Sequence, residues 1–141
     1  MRAAILESSP SDLVIDDVRV DAVGPREVLV RTSAAGLCHS DLHFMQGLYP
    51  YAYPAVLGHE SAGIVEAVGA EVTGFRAGDH VVSCVSGFCG SCNYCLSGRP
   101  YICDKVGLAR SGSGPRLSRN GAPVHQFFDL ASFAEQLLVH E

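Results

Sequence analysis

Apolar residues in the first third of the chain come in short, β-branched pieces. Ala3-Ala4-Ile5-Leu6, Leu13-Val14-Ile15 and Val18-Arg19-Val20 are separated by Ser-Pro and Asp-Asp breaks, and each reads as a strand. Glu27-Val28-Leu29-Val30-Arg31-Thr32 is a clearer strand, since Val28 and Val30 share a side at period 2 and can face a core, with Glu27 and Arg31 at its margins. It runs straight into Gly36-Leu37-Cys38-His39-Ser40-Asp41-Leu42-His43, a loop whose polar, metal-liking side chains a rigid strand can position. Tyr49 to Pro54, with its tyrosines and prolines, reads as irregular. Ala62 to Gly69 and Gly78 to Val82 then read as two strands around a glycine-bearing connection. Short strands at such regular spacing predict a barrel or a sandwich.

The pattern then changes twice. Gly87 to Cys103 is rich in cysteine and too poor in apolar residues to build its own core, so something other than burial has to hold it. Ala109 to Pro123 is dominated by Ser, Gly, Arg, Asn and Pro and reads as a loop. Periodicity in the tail, Phe127 to Val139, favours a helix through Phe127, Leu130, Ala134, Leu137 and Leu138, while the strand alternation Phe133, Glu135, Leu137, Val139 is less regular.

Length and composition narrow the class. The 141 residues fit a single domain, 1–141, and 48% hydrophobic with 18% charged residues is the composition of a folded chain. Fifteen glycines tilt it toward turns. A formal charge of -5 without a basic block argues against nucleic acid and anionic membranes as partners. The apolar run after Met1-Arg2 is too short for a signal-peptide core, no stretch is long enough to span a bilayer, and the expected location is cytoplasmic. In that compartment six cysteines point to metal or catalysis before disulfides.

Four of the six, Cys89, Cys92, Cys95 and Cys103, follow the spacing C-x2-C-x2-C-x7-C. A turn with a cysteine at every third position can present three thiolates to one zinc ion, and the fourth closes a tetrahedron. Two disulfides conflict with the cytoplasmic reading. An iron–sulfur cluster conflicts with Asp104, which stands where the usual proline follows the last cysteine. Four thiolates leave no open position, so such a zinc is structural.

Cys38 and His59 are a second pair of candidate ligands, each at a loop junction behind a glycine, with Glu60 supplying a carboxylate. Mixed ligands of this kind can make an open, catalytic metal site. Spacing alone does not join them: Cys38 could equally be a small buried hydrophobe and His59 a hydrogen-bonded loop histidine.

The stretch Gly58-His59-Glu60-Ser61-Ala62-Gly63-Ile64-Val65-Glu66-Ala67-Val68-Gly69, with Gly78-Asp79-His80-Val81-Val82 after it, resembles the G-H-E-x2-G-x-V signature of zinc-dependent medium-chain alcohol dehydrogenases. Gly36 to Asp41 resembles that family's first catalytic loop, the four-cysteine spacing resembles its structural lobe, and Ser132-Phe133-Ala134-Glu135 resembles its strand after the lobe, which replaces the helix reading of the tail. The resemblance implies a mainly β, GroES-like irregular barrel with a zinc-binding lobe. It also implies that Cys38, His59 and Glu60 belong to the catalytic zinc, that Ser40 bonds the substrate alcohol, that His43 passes its proton to solvent, that His39 lies near the pyrophosphate of NAD or NADP, and that Asp41 orients the ligand histidine.

Departures matter too. The family's third catalytic cysteine lies beyond the lobe, past Glu141, and Cys84, which precedes the lobe, does not match it. Gly112-Ser113-Gly114-Pro115 fails the G-x-G-x-x-G spacing, so the nucleotide-binding Rossmann domain is expected to be missing from this chain. The expectation is therefore the catalytic portion of a homo-oligomeric enzyme acting on a small alcohol or aldehyde, inactive by itself. The rivals are a non-catalytic, zinc-stabilised GroES-like binding module and a ferredoxin-like carrier.

Overall fold

The computed structural model describes residues 1–104 and 114–141. Strands β1 (Arg2–Leu6) and β2 (Leu13–Asp17) form an antiparallel pair with Ile5 opposite Val14. Then follow β3 (Arg19–Val20), β4 (Glu27–Ala35), helix α1 (His39–Met45), β5 (Ala55–Val56), β6 (Ser61–Val68) and β7 (His80–Val82). A one-turn helix α2 (Asn93–Leu96) lies in the cysteine lobe, and β8 (Leu117–Arg119), β9 (Ala122–Gln126) and β10 (Gln136–His140) complete the order. Six strands run β2-β1-β5-β9-β8-β3 in one sheet, and four run β10-β4-β6-β7 in the other. The two meet where Ala3 bridges Ala134 and the Ala4 N–H donates to the Phe133 carbonyl at 2.8 Å. This is the mainly β, curled architecture that the strand pattern predicts. No helix among the described residues is long and apolar enough to cross a membrane.

Three apolar clusters hold the sheets. Ile5, Val56, Leu117 and Val124 centre the first, and Val28, Val30, Val65 and Leu137 the second, as the period-2 reading of β4 requires. The third, Leu6, Leu57 and Phe127, carries Phe44 and Met45 of α1 on its edge. It is the floor on which the loops bearing Cys38 and His59 rest.

Three expectations need correction. The Ala109–Pro123 loop is partly a hairpin: β8 and β9 pair antiparallel with Arg119 opposite Ala122, leaving Asn120-Gly121 as a two-residue turn. Asn120 (φ 52°) and Gly121 (φ 81°) both occupy the left-handed region that such a turn demands, and Asn-Gly is its strongest sequence signal. Residues 109–113, including Gly112 and Ser113, lie outside the described residues. The tail is not helical beyond the 3-10 turn Phe127–Asp129; it forms the Ala134 bridge and β10, as the family resemblance indicates. The segment after Cys38 is helix α1, not loop.

Glu27 is also misplaced by the strand pattern. It is 1% exposed, because the face of β4 opposite Val28 is covered by the segment around Arg116. Its Oε2 accepts from the Gly24 N–H at 2.7 Å and lies 3.1 Å from Arg116 Nη2. Arg116 also donates to the Ala22 carbonyl at 2.6 Å and approaches Asp21 at 3.4 Å, so one guanidinium ties the β3–β4 loop to the hairpin. Breaking a buried pair from one side leaves an uncompensated charge, so Arg116→Met is expected to cost about 3–5 kcal/mol. Urea unfolding of Arg116→Met beside the double variant Glu27→Leu/Arg116→Met checks this: the double variant is expected to recover most of the loss, and a single-variant loss below ~1 kcal/mol would mean that the pair is solvated.

Candidate metal centres

Strand β4 ends at Ala35, and the chain turns through Gly36 into Cys38, the N-cap of α1. The Asp41 carboxylate accepts from the Cys38 N–H at 3.2 Å, the carboxylate half of a capping box. Its other oxygen accepts from the Gly58 N–H at 3.1 Å and stands 3.4 Å from His59 Nδ1. Asp41 is buried, and one side chain thus fixes two loops that are 20 residues apart in sequence. Gly58 has no substitute here: its φ is +86°, and a Cβ would stand 2.6 Å from a ring carbon of Phe133. Gly36 gives way similarly to Glu60, whose carboxylate would overlap a Cβ at that position.

The result is a convergence that sequence spacing could not show. One ligand atom each from Cys38, His59 and Glu60 lies within 4.8 Å of the others. Ser40 Oγ is 3.1 Å from Cys38 Sγ and 3.3 Å from His59 Nε2. With Nδ1 turned toward Asp41, Nε2 is the nitrogen left to a metal, and it faces the thiol and the hydroxyl. The Nδ1 approach to Asp41 is oblique, and Nδ1 has no aligned hydrogen bond among the described residues. That orphaned polar atom, beside a thiol and a second carboxylate, fits a site that tightens around a cation.

The remaining expected site residues fall apart from this centre. His39 and His43 pack on each other along α1, ring centroids 4.5 Å apart, and His43 touches Tyr49 at 5.7 Å. No hydrogen bond joins Ser40 to His43 among the described residues. Cys84 is exposed and lies in an apolar groove with Val30, Phe88 and Leu137, outside both ligand groups.

An aromatic wall is what the residue pattern left unseen. Phe127 and Phe128 stand 5.5 and 5.6 Å from the His59 ring, and Phe44 stands 4.7 Å from Phe127. A helical reading of the tail would have spread these rings over a helix surface. The Phe-Phe pair was visible, but its left-handed turn was not.

In the lobe, Cys89, Cys92, Cys95 and Cys103 present sulfurs within 4.8 Å of one another, and all are reduced. Cys92 Sγ is 3.5 Å from Cys95 Sγ and 3.8 Å from Cys103 Sγ. Four sulfurs about 2.3 Å from a tetrahedral zinc have edges of roughly 3.8 Å, so the cage is of the right size. Backbone and side-chain bonds from Ser91 pull the Cys89 thiol down to about 6, whereas burial and then the Cys92 thiol push Cys95 up to about 11. One thiolate is thus favoured and a neighbouring one resisted, the conflict that a dication removes. Helix α2 buries no residue, and Leu96 and Tyr101 are exposed, so packing does not hold this lobe.

Residues 24–141 match the Alcohol dehydrogenase GroES-like domain family. The chain belongs to that family. It is 39% identical to alcohol dehydrogenase class-3 of Drosophila melanogaster, over 98% of this chain and 38% of that protein. Among solved structures it is similar to the alcohol dehydrogenase zinc-binding domain protein of Burkholderia ambifaria (40% identity, TM-score 0.88, 99% of this chain and 40% of that one). It is also similar to benzyl alcohol dehydrogenase of Acinetobacter calcoaceticus (35% identity, TM-score 0.83, 99% and 38%). The chain spans about two fifths of the length of the relatives it matches.

Two outcomes check the centres. Cys92→Ser is expected to lower zinc content by one ion per chain and to depress the melting temperature, read by elemental analysis and calorimetry; an unchanged melting curve would remove the lobe's zinc. Asp41→Asn, which can accept through one oxygen only, is expected to cost about 1–3 kcal/mol in urea unfolding, because a buried N–H of Cys38 or Gly58 loses its partner.

Proposed function

We propose that residues 1–141 form the substrate-handling portion of a zinc-dependent alcohol dehydrogenase that exchanges hydride between a small alcohol or aldehyde and NAD or NADP. The convergence of Cys38, His59 and Glu60 around the Ser40 hydroxyl carries this reading. Cys38 Sγ and His59 Nε2 would hold the metal, with Glu60 beside it. When bound, zinc supplies Lewis acidity, which lowers the pKa of a substrate hydroxyl.

The chain's own residues do the rest. Ser40 Oγ hydrogen-bonds the substrate oxygen and accepts its proton as another leaves. His43, half-buried on α1, takes that proton onward to solvent, with the gap to Ser40 closed by substrate, cofactor or water. His39 is exposed and offers a donor to the cofactor's pyrophosphate. Phe127, Phe128 and Phe44 shield one side of the centre from water, which strengthens polar interactions inside it. A binding module would need only the lobe; a second ligand group around the Ser40 hydroxyl has no use there.

The residue that reads the cofactor ribose belongs to a parallel βαβ unit in enzymes of this kind. Among the described residues no run of parallel strands alternates with helices. Residues 1–141 alone are therefore proposed to turn over no alcohol. In the relative-length enzyme, Cys38→Ala is expected to abolish activity with loss of the metal. His43→Gln is expected to keep zinc and lower kcat about 10²-fold, with part of the rate restored by imidazole buffer. If His43→Gln matches the parent from pH 6 to 9 while proton transfer limits the rate, the relay is wrong. Turnover by residues 1–141 alone would overturn the division of labour.

A further inference from the structure

Phe128 occupies a backbone conformation that its own burial does not explain. Its φ is 49°, in the left-handed region, where glycine or asparagine is at ease and a bulky aromatic residue is an outlier. It is 47% exposed, so burial offsets the strain far less than at its neighbour Phe127, which is fully buried in the third cluster. Other groups hold the turn: the Tyr51 hydroxyl donates to the Gln126 carbonyl at 3.1 Å, and the Leu130 N–H to the Phe127 carbonyl at 3.0 Å. Glycine at 128 would suit this backbone better. Strain kept under those conditions points to a task for the side chain.

That task is found at His59. Its side chain is only 11% exposed, yet its polar contacts leave the plane of the ring weakly set. Asp41 stands 3.4 Å from Nδ1 without an aligned hydrogen bond, and Ser40 Oγ is 3.3 Å from Nε2. Rotation of an imidazole about its Cβ–Cγ bond is broad and roughly two-fold, so contacts this long and oblique can select which edge carries each nitrogen without fixing the plane. Packing supplies the missing constraint. The Phe128 ring stands 5.6 Å from the imidazole with the planes at 88°, and the Phe127 ring 5.5 Å away at 67°. Both are separations at which aromatic rings attract in T-shaped contact. Phe127 and Phe128 also pack on each other at 4.2 Å, so the two phenyl rings act on His59 together.

We propose that Phe128 is a positioning residue for the metal centre: its ring sets the plane of the His59 imidazole, so that Nε2 is held toward Cys38 and Ser40 before a metal arrives. Asp41 selects the nitrogen, and Phe128 sets the plane. The inference rests on the reading that Cys38, His59 and Glu60 hold zinc, and adds that their affinity depends on a side chain with no ligand atom.

Zinc binding at His59 tests this with alcohol and cofactor both absent, so that substrate contact plays no part. Zinc is titrated near neutral pH into the chain with its four-cysteine lobe already loaded, and the ¹⁵N-labelled ring nitrogens of His59 are followed by NMR. In the parent, the Nε2 signal is expected to take the shift of a metal-bound nitrogen. In Phe128→Gly, zinc affinity at His59 is expected to fall about tenfold or more, as when a group that orients a metal ligand is removed. Its melting temperature before titration is expected to match or exceed the parent's, because glycine relieves the backbone. Phe128→Tyr keeps the ring and is expected to bind zinc as the parent does. If Phe128→Gly does not fold, Phe128→Leu, which keeps apolar bulk without the ring, takes its place with the same expected loss of affinity. Equal affinity in the parent and the folded variant without the ring overturns the positioning role and leaves the metal centre standing. So does an equal loss in Phe128→Tyr, or a melting temperature of Phe128→Gly that falls together with its affinity, which would make the ring a support of the fold. Absence of zinc from His59 in the parent overturns the centre and the positioning role together.

Discussion

The arrangement depends above all on one buried carboxylate. Asp41 accepts backbone N–H bonds from Cys38 and Gly58 and faces the ring of His59, so a single anion ties the end of β4, the start of α1 and the loop before β6. A buried charge is tolerated only where donors converge on it. The same donors that satisfy Asp41 belong to the residues bearing or adjoining the candidate ligands. Stability of the carboxylate and geometry of the centre are therefore one constraint: to relax Cys38 or Gly58 is to strip a donor from a buried anion. This ties the site to the fold without requiring the metal to assemble it.

The cysteine lobe obeys the opposite logic. It contains no carboxylate, no residue of α2 is buried, and its sulfurs sit at contact distance. Backbone donors favour a thiolate at Cys89, whereas burial and the Cys92 thiol push Cys95 the other way. A cation bound by the four sulfurs would supply cohesion to the lobe, and its binding energy would then be folding energy. One chain thus contains a site preorganised by protein and another that chemistry must complete.

What the residue pattern reveals follows from this difference. Local signals were readable: the alternation of β4 placed Val28 and Val30 in the core, and four cysteines at short spacing announced their cage because the lobe is built from neighbours in sequence. The meeting of Cys38 with His59 became legible only through family resemblance, since it depends on β4–β6 pairing across the sheet. Glu27 was misread because its partner, Arg116, lies 89 positions away in a segment that reads as polar loop. The β8–β9 hairpin is a different failure. Asn120-Gly121 was a local signal, overshadowed by the composition around it.

The tail shows why helical periodicity and final structure part company. Phe127, Leu130 and Ala131 are all buried, as a helix face would have them, yet the chain between reverses sharply. Phe128, Asp129 and Ala131 all have positive φ, at 49°, 60° and 65°. Each such residue stores strain of about 1–3 kcal/mol, which persists only where the surroundings over-determine the turn. Here they do: Phe127 is sealed in the third cluster, the Ser132 N–H donates to Gly58 and the Phe133 N–H to Leu57. Those two bonds fasten the strained turn to the residues just before His59. The turn therefore lays Phe128 beside the His59 ring and braces the His59 loop through bonds other than those of Asp41. A regular helix over 127–139 would bury the same apolar side chains but could supply neither bond, because its own N–H groups would be spent within the helix.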